Sequence, residues 1–441
     1  MKRFLLINSP IFLKSTSKKE EYLPPLGLGY IATYLEKSNV DVSLVDCVSE
    51  RKSAKDIVDQ INNKNYEYIG INIFTQNFEI VKYIVESINV KNICFIGGQV
   101  VKYIYEEINN WNSVAKIITI IGEGEYIIPA LVMDNCEQKP LNRINGNETY
   151  LVNKESIYFP NDISSIKLSR KFFNNGLCIN HYGEREAPII TSRGCIYNCA
   201  FCGGAKGLNK DIPIRIRNIS SIITEIKQLV ELYPDLQSIR ILDDLFLKSR
   251  KSIDQAYEIF KCFPDLSWRG MGHVLSLFNS LDKINTLSQS NCNELFLGIE
   301  SGSNDIRKRI NKLGTNEQII QVSKAILDSG IDLKCYFIYG FPHETKKDFI
   351  YTYNLACLLK DISDRSNGKF RASVFQFRPY HGTRLYNEIL NENGTIGTVY
   401  QNNQIKSFSG RNQFNFTSGN FSDESDELLS YYINKTQELT E

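Results

Sequence analysis

The chain has no apolar run approaching the about 18 residues of a membrane-spanning helix, so a helical membrane protein is excluded. It has no surplus of either charge: 51 Lys and Arg stand against 50 Asp and Glu, which leaves no electrostatic footprint for nucleic acid or an anionic membrane. Histidine is scarce, four in all, and the first is His181, so nothing upstream can offer an imidazole to a metal. No Gly-x-Gly-x-x-Gly follows the first strand-like segment, which argues against a nicotinamide or flavin dinucleotide. Residues 1–8 run straight into a strand-like segment instead of a secretory leader. Most of the 11 cysteines are scattered singly in apolar settings, which suits free thiols in a reducing compartment and not a disulfide framework. The expectation is a cytoplasmic globular protein of two domains with a tail.

What is present is concentrated in Thr191–Cys202, TSRGCIYNCAFC. Cys195, Cys199 and Cys202 stand as Cys-x3-Cys-x2-Cys, with Phe201 before the last. Iron–sulfur clusters are ordinarily held by four thiolates. Three in one loop leave one iron open, and an open position separates a working site from a structural one. A structural zinc site is the competing reading. It wants four ligands in paired half-sites; Cys178 is the nearest spare, and no second Cys-x2-Cys exists.

Around this loop, short apolar runs alternate with amphipathic stretches. Strands are expected at 3–8, 41–46, 68–74, 92–96 and 116–121, with helical patterns between them, as at 29–37 and 78–88. That pattern is α/β, a doubly wound, Rossmann-like parallel sheet, whose ligands sit beyond the carboxyl ends of the strands. The loops there are glycine-rich: Pro24-Pro25-Leu26-Gly27, Gly97-Gly98 and Gly122-Glu123-Gly124-Glu125. Residues 136–186 read as a linker with β-prone pieces at 149–151 and 156–159. From 187 the alternation resumes, with strands expected at 188–192, 238–242, 266–271, 294–299, 333–339 and 372–377. Six strand–helix units make a partial (β/α)6 barrel, with its chemistry at the carboxyl ends of the strands. Ser252 with Gln255 and Thr315 with Gln318 read as capping boxes, and Gly330 as a helix stop. The domains are therefore expected at 1–135 and 187–390, joined by 136–186 and followed by a tail, 391–441, that either caps the barrel or extends without structure.

The cysteine spacing, the aromatic before the third cysteine and the strand–loop position resemble the radical S-adenosylmethionine (radical SAM) superfamily. The resemblance implies a [4Fe–4S] cluster on Cys195, Cys199 and Cys202. Its open iron would chelate the amino and carboxylate groups of S-adenosylmethionine, and one electron would split the sulfonium to a 5′-deoxyadenosyl radical. PPLGLGYIATYLE, the Gly97-Gly98 pair and GEGE resemble the cobalamin-binding domain that precedes the barrel in many of these enzymes. That likeness implies corrin contacts from Pro25, Leu26, Gly27, Thr75, Gly97, Gly98, Gly122, Glu123 and Gly124. The Asp-x-His-x-x-Gly motif that puts histidine on cobalt is missing, so any cobalamin is bound without it; a relic domain that binds none is the other reading.

The same resemblance places Phe201, Gly203, Asp243, Arg269, Glu300, Ser301 and Lys312 around S-adenosylmethionine. Asp243 and Asp244 end the second barrel strand, where a carboxylate pair needs donors or a cation; the alternative is a helix cap. Glu300 closes an apolar strand, and two acceptor oxygens suit the paired hydroxyls of a ribose. Arg269 or Lys312 would neutralise the S-adenosylmethionine carboxylate. Tyr380 and His381, the latter where the family has proline or a small residue, would face the substrate, with proton transfer or plain lining as their roles. The implied reaction is methyl transfer to an unactivated carbon or phosphorus of a small-molecule or peptide substrate, with flavodoxin or ferredoxin as reductant. A radical cyclisation, rearrangement or oxidation without methyl transfer, and a non-catalytic sensor, are the alternatives. Replacing Cys199 by Ala is expected to abolish visible iron–sulfur absorbance and all 5′-deoxyadenosine formation, read by spectrophotometry and chromatography of the reduced protein.

Overall fold

The computed structural model describes residues 2–10, 22–173, 176–393 and 419–440. Its first sheet is built from Arg3–Asn8 (β1), Asp41–Asp46 (β2), Tyr68–Asn72 (β3), Ile93–Gly97 (β4) and Lys116–Gly122 (β5), all parallel. The connecting helices are Leu26–Lys37 (α1), Ala54–Asn63 (α2), Phe78–Glu86 (α3) and Val101–Asn109 (α4), with Ile127–Val132 (α5) after β5. β1 reads RFLLIN and is buried from Phe4 onward, because a parallel sheet is covered on both faces. Two separate cores form accordingly, one around Leu5, Ile57 and Ile84, the other around Phe4, Leu35 and Ile118.

The sheet does not stop at β5. Asn142–Ile144 (β6) and Asn147–Val152 (β7) form an antiparallel hairpin whose β7 adds parallel to β5, giving the order β2-β1-β3-β4-β5-β7-β6. The hairpin turns at Asn145 and Gly146, both at positive φ. The first sheet thus reaches into the stretch read from sequence as linker. The β-prone piece at 156–159 is turn, with Phe159 buried.

The second sheet holds Cys178–Ile179 (β8), Arg185–Ile189 (β9), Ser238–Ile241 (β12), Ser267–Gly272 (β13), Cys292–Glu300 (β14), Asp332–Tyr339 (β15) and Phe370–Gln376 (β16). A small ribbon, Ser192–Arg193 (β10) with Arg215–Ile216 (β11), lies between β9 and β12 in the chain. The order is β16-β15-β14-β13-β12-β9-β8: six parallel strands with antiparallel β8 on one edge, curled but not closed. Around it run Ile219–Leu232 (α6), Arg250–Phe260 (α7), Val274–Phe278 (α8), Ile284–Ser288 (α9), Asn304–Arg309 (α10), Asn316–Asp328 (α11), Lys346–Ser363 (α12) and Arg384–Asn393 (α13). Residues alternating along β12, β14 and β15, such as Ile239, Leu297 and Phe337, pack outward against these helices.

Thr315 and Gln318 cap α11 as expected. For α7 the cap is Ser249, not Ser252: Ser249 is extended and accepts from the Ser252 amide, so Ser252 already lies in the first turn. The tail ends in Asp426–Gln437 (α14), which lies on the outer face of the barrel against α12 and β16, with Leu429 and Tyr432 in the core. Its Gln437 and the following Thr440 accept from the β16 amides of Val374 and Ala372, covering a strand edge that would otherwise be open. The expected cap over the barrel mouth is therefore not what α14 provides; the tail's 394–418 lie outside the described residues.

After β15 the chain turns at Gly340, and Glu344, wholly buried, accepts from the Gly340 and Phe341 amides at 2.6 and 3.0 Å. Burial outweighs those bonds and pushes its carboxyl up to about 8 from an ordinary 4.5. An acid raised in the folded state contributes stability that is fully present below the unfolded pKa and is lost as pH rises through the folded one. The melting temperature of the native protein is thus expected to fall, relative to Glu344→Gln, between about pH 4.5 and pH 8, measured by calorimetry across that range.

Candidate cofactor-binding cleft

The carboxyl ends of the two sheets meet. Asn8, Asn72, Gly97 and Gly122 at the ends of β1, β3, β4 and β5 line a cavity of about 700 Å³. Its other wall is Ile190, Ser192, Arg193, Gly194, Leu242 and Asp244, from the loops after β9 and β12. Both loop sets lie where parallel α/β sheets place ligands.

The cysteine loop leaves this wall. Cys195, Cys199 and Cys202 are each half-buried. The loop is pinned to the end of α10 by Ala200 N–H to Ile310 carbonyl, 2.8 Å, and by Asn311 Nδ2 to Asn198 carbonyl, 2.7 Å. Phe201 packs edge-on against Phe341, ring centres 5.7 Å apart, so its ring anchors the loop on the core. Burial raises all three thiols, Cys202 to about 12, so they stay protonated until a cation displaces the proton. Among the described residues no three His, Cys, Asp or Glu converge on a single ion. A structural zinc takes four ligands, whereas this loop offers three thiolates, the number that leaves one iron of a cluster open.

The carboxylate pair after β12 divides its work. Asp243 is buried and accepts from the Thr191 amide, the Thr191 hydroxyl and the Ser192 hydroxyl, each at 2.6 Å. These bonds engage both oxygens, so Asp243 holds the root of the cysteine loop. Asp244 alone opens onto the cavity. Its carboxyl is raised by burial and by neighbouring Asp243.

At the end of β14 one extra residue shifts the register between Gly298 and Glu300, and Glu300 sits at φ +68. A side chain there in the left-handed region marks stored strain. The shifted carboxylate accepts from Lys312 Nζ at 2.9 Å, and both groups are buried. A Cβ on Gly298 would overlap both side-chain ends and displace the pair from this placement. Lys312 also lowers the Cys199 thiol, which places this ion pair beside the cysteine loop. Lys312 is thus committed to Glu300 and is not a free counter-ion for a carboxylate.

Several other expected contacts are corrected. Arg269 is 1 % exposed and donates to Glu186 at 2.5 and 2.7 Å and to Glu294 at 3.2 Å, near the starts of β9 and β14, so it knits the barrel interior and not its mouth. The Ser301 hydroxyl bonds Thr352 and the Ser303 amide. Thr75 and His381 meet each other, Oγ1 to Nδ1 at 3.0 Å, and neither lines the cavity; burial lowers the imidazole to about 4. His381 therefore ties the two domains together through Thr75. Tyr380 is half-buried, and its carbonyl accepts from Thr383. Leu26 turns into the core beside Phe173, while Pro25, Gly27 and Leu28 line the cavity.

The remaining loop residues do meet the cavity: Gly97, Gly98, Gly122, Glu123 and Gly124. Around Gly27 and Gly97 a Cβ would stand in open space, and at Gly98, φ +138, it would overlap the Ile73 carbonyl. Glycines set among apolar side chains such as Leu28, Ile31, Phe95 and Ile120 leave backbone open to close approach by a large, largely apolar ligand, which a corrin is. The cavity lining contains no histidine. Glu123 is not free for a ligand, because Arg193 Nη1 holds it at 2.7 Å and Arg215 Nη1 at 2.9 Å, while Arg193 Nη2 holds Glu125 at 2.7 Å. Gly203, after the third cysteine, faces the Gln99 side chain of the first sheet's loop.

Sequence reasoning missed four polar groups near the loop. Arg193 lies two residues before Cys195. Lys248 donates to Ser192 Oγ at 2.9 Å. His273 stacks on Tyr197 at 3.6 Å, and Arg307 is buried against the Leu313 and Gly314 carbonyls. Only Arg193 carried a signal, its adjacency to the triplet; the others come from distant segments.

Comparison with known proteins follows the same division. The Radical SAM superfamily model matches residues 189–356 and the B12 binding domain model matches residues 16–132. An uncharacterized methyltransferase of Pyrococcus horikoshii is 28% identical over 375 residues, 82% of this chain and 78% of that protein. The radical S-adenosylmethionine methyltransferase TsrM of Kitasatospora setae, solved with cobalamin and a [4Fe–4S] cluster, superposes with TM-score 0.64 at 14% identity, over 89% of this chain and 78% of its own. The cobalamin-dependent S-adenosylmethionine radical enzyme OxsB superposes with TM-score 0.63 at 16% identity, over 89% of this chain and 61% of its own. These structures share the fold. No helix of the described residues is long and apolar enough to cross a membrane.

Removing the Asp243 carboxylate strands three buried donors. Asp243→Ala is expected to lower stability by about 3 kcal/mol and Asp243→Asn by less, since a retained oxygen still accepts; denaturant unfolding measures both.

Proposed function

We propose that this chain, a radical SAM enzyme headed by a B12-binding domain, transfers a methyl group to an unactivated carbon or phosphorus of a small-molecule or peptide substrate. One observation carries the reading. The loops of both domains open on a single cavity, with Gly97 and Gly122 on one wall and Gly194 and Asp244 on the other. A cavity walled by the first sheet's loops and by the root of the cysteine loop lets groups bound to either domain act on one substrate atom in turn, which methyl transfer requires and a sensor does not.

Bound here, the cluster would supply the electron that cleaves S-adenosylmethionine to a 5′-deoxyadenosyl radical, and cobalamin would carry the methyl group. The chain's own share is positional. Cys195, Cys199 and Cys202 are the ligands available for three irons. Asp243 holds the loop root through Thr191 and Ser192. Glu300, kept in place by Lys312, presents its second oxygen at the strand end where a ribose would lie. Asp244, in the cavity wall, is the carboxylate open to the ammonium of S-adenosylmethionine or to substrate. Gly27 and Gly97 leave room for a corrin to come close to the backbone of the first sheet's loops. A small electron carrier such as flavodoxin or ferredoxin is the reductant, and the name of the Pyrococcus relative supports the choice of methyl transfer over another radical reaction.

Reconstituted anaerobically with iron, sulfide and hydroxocobalamin, then given S-adenosylmethionine, candidate substrate and dithionite as reductant, the protein is expected to give 5′-deoxyadenosine and a product one CH2 heavier than substrate. Loss of hydrogen without that gain would refute methyl transfer, and absence of 5′-deoxyadenosine would refute the reading altogether. Glu300→Ala is expected to weaken S-adenosylmethionine binding about 10- to 100-fold, as for one or two lost charge-assisted hydrogen bonds, with iron content unchanged; equilibrium dialysis reads the first and iron assay the second.

A further inference from the structure

We infer that Arg193 couples the two cofactor sites, so that a ligand in the first sheet's cavity strengthens retention of the cluster and the cluster strengthens that ligand's binding. The inference rests on the proposed function for the identity of the two groups, but its basis is geometry. Arg193 lies on β10, two residues before Cys195, and is one of the residues lining the cavity. Its guanidinium spans two carboxylates of the loop after β5: Nη1 to Glu123 and Nη2 to Glu125, both at 2.7 Å. The same group stands 5.3 Å from the ring centre of Tyr30 on α1, another cavity residue. One side chain of the cysteine segment therefore engages both the loop after β5 and helix α1 of the cavity wall.

The ribbon doubles the grip. Arg193 pairs in register with Arg215, which also holds Glu123 and bonds the Pro160 carbonyl at 2.8 Å. The two arginines and the two glutamates leave 17 and 7 %, and 15 and 6 %, of their side chains exposed. Buried ion pairs of this kind tolerate little movement, because displacing either partner leaves a desolvated charge. The guanidinium fork is what allows one residue to hold two carboxylates at once. On the other flank of the triplet Gly203 lies against Gln99, so both ends of the cysteine loop abut the first sheet's loops.

A ligand that contacts the Glu123–Glu125 loop and favours one placement of it favours the matching placement of the root of the cysteine loop, because the arginine pairs carry the two together. The second ligand meets that placement already favoured and binds more tightly, and thermodynamic linkage makes the effect equal in both directions. Couplings of this sort run from about 5- to 150-fold.

The test uses the full chain and hydroxocobalamin as probe. Its Kd is measured spectrophotometrically on cluster-loaded protein and on protein stripped of iron by a chelator; release of iron to a chelator is timed with and without hydroxocobalamin. The native protein is expected to bind the probe about tenfold more tightly with the cluster in place, and to lose iron more slowly with the probe bound. Arg193→Met is expected to bind both groups while the difference between the two Kd values disappears. Should that variant not fold, Arg193→Lys keeps the charge without the fork and is expected to lose the difference likewise. A merely structural role would weaken both Kd values alike and leave their ratio intact. Equal Kd values in the native protein, or a full difference retained in the variants, overturn the coupling. No binding of hydroxocobalamin or no cluster at all would instead overturn the proposed function.

Discussion

Two arginines and two glutamates hold the carboxyl ends of two parallel sheets face to face. Those ends carry the loops that meet a ligand, and bringing them together takes polar backbone and charged side chains out of water. The cost is met by balance: Arg193 and Arg215 against Glu123 and Glu125, each guanidinium in fork contact with carboxylate. Such a set adds little net stability, since desolvation cancels most of the attraction. What it supplies is orientation. The glycine floor of one sheet and the cysteine segment of the other are held in one geometry around a shared cavity.

Within the barrel the same principle works at smaller scale. Asp243 sits at a strand end where ligand chemistry would be looked for, yet its oxygens are turned back to Thr191 and Ser192. Its neighbour Asp244, one residue on and therefore on the other side of the backbone, is left to the cavity. Glu300 shows the opposite compromise. The bulge at Gly298–Glu300 and a positive φ are unfavourable locally, and the buried Lys312 ion pair offsets them while setting the carboxylate beside the cysteine loop. Strain of this type gathers where side-chain direction matters more than ladder regularity.

The barrel interior is organised by ion pairs of its own. Arg269, with Glu186 and Glu294, fills the base of the curled sheet, and Arg371 adds to Glu294 at 2.9 Å. The charges nearest the strand starts thus serve the barrel's own packing, while Asp244 at the end of β12 opens on the cavity. An open barrel needs such a plug because β8 and β16 do not pair to close it.

The linear order of residues was enough for most of what is local, the cap of α7 and the turn at 156–159 being the exceptions. Period-two and helical patterns place β1 through β5 and the six barrel strands to within a few residues, because each segment's apolar spacing reflects the faces it must bury. The cysteine triplet, the glycine loops and the Thr315 cap were legible for the same reason: their chemistry lies within a few neighbouring residues. Everything that depends on which segments meet was decided by packing alone. Nothing in NETYLV says that β7 extends the first sheet, nothing in Trp268–Gly270 says that Arg269 faces two glutamates, and nothing near His381 foretells Thr75 across the domain junction. Charge pairing between distant segments leaves no periodic trace in a sequence, so the roles of Asp243, Arg193 and Lys312 exist only once the chain has folded.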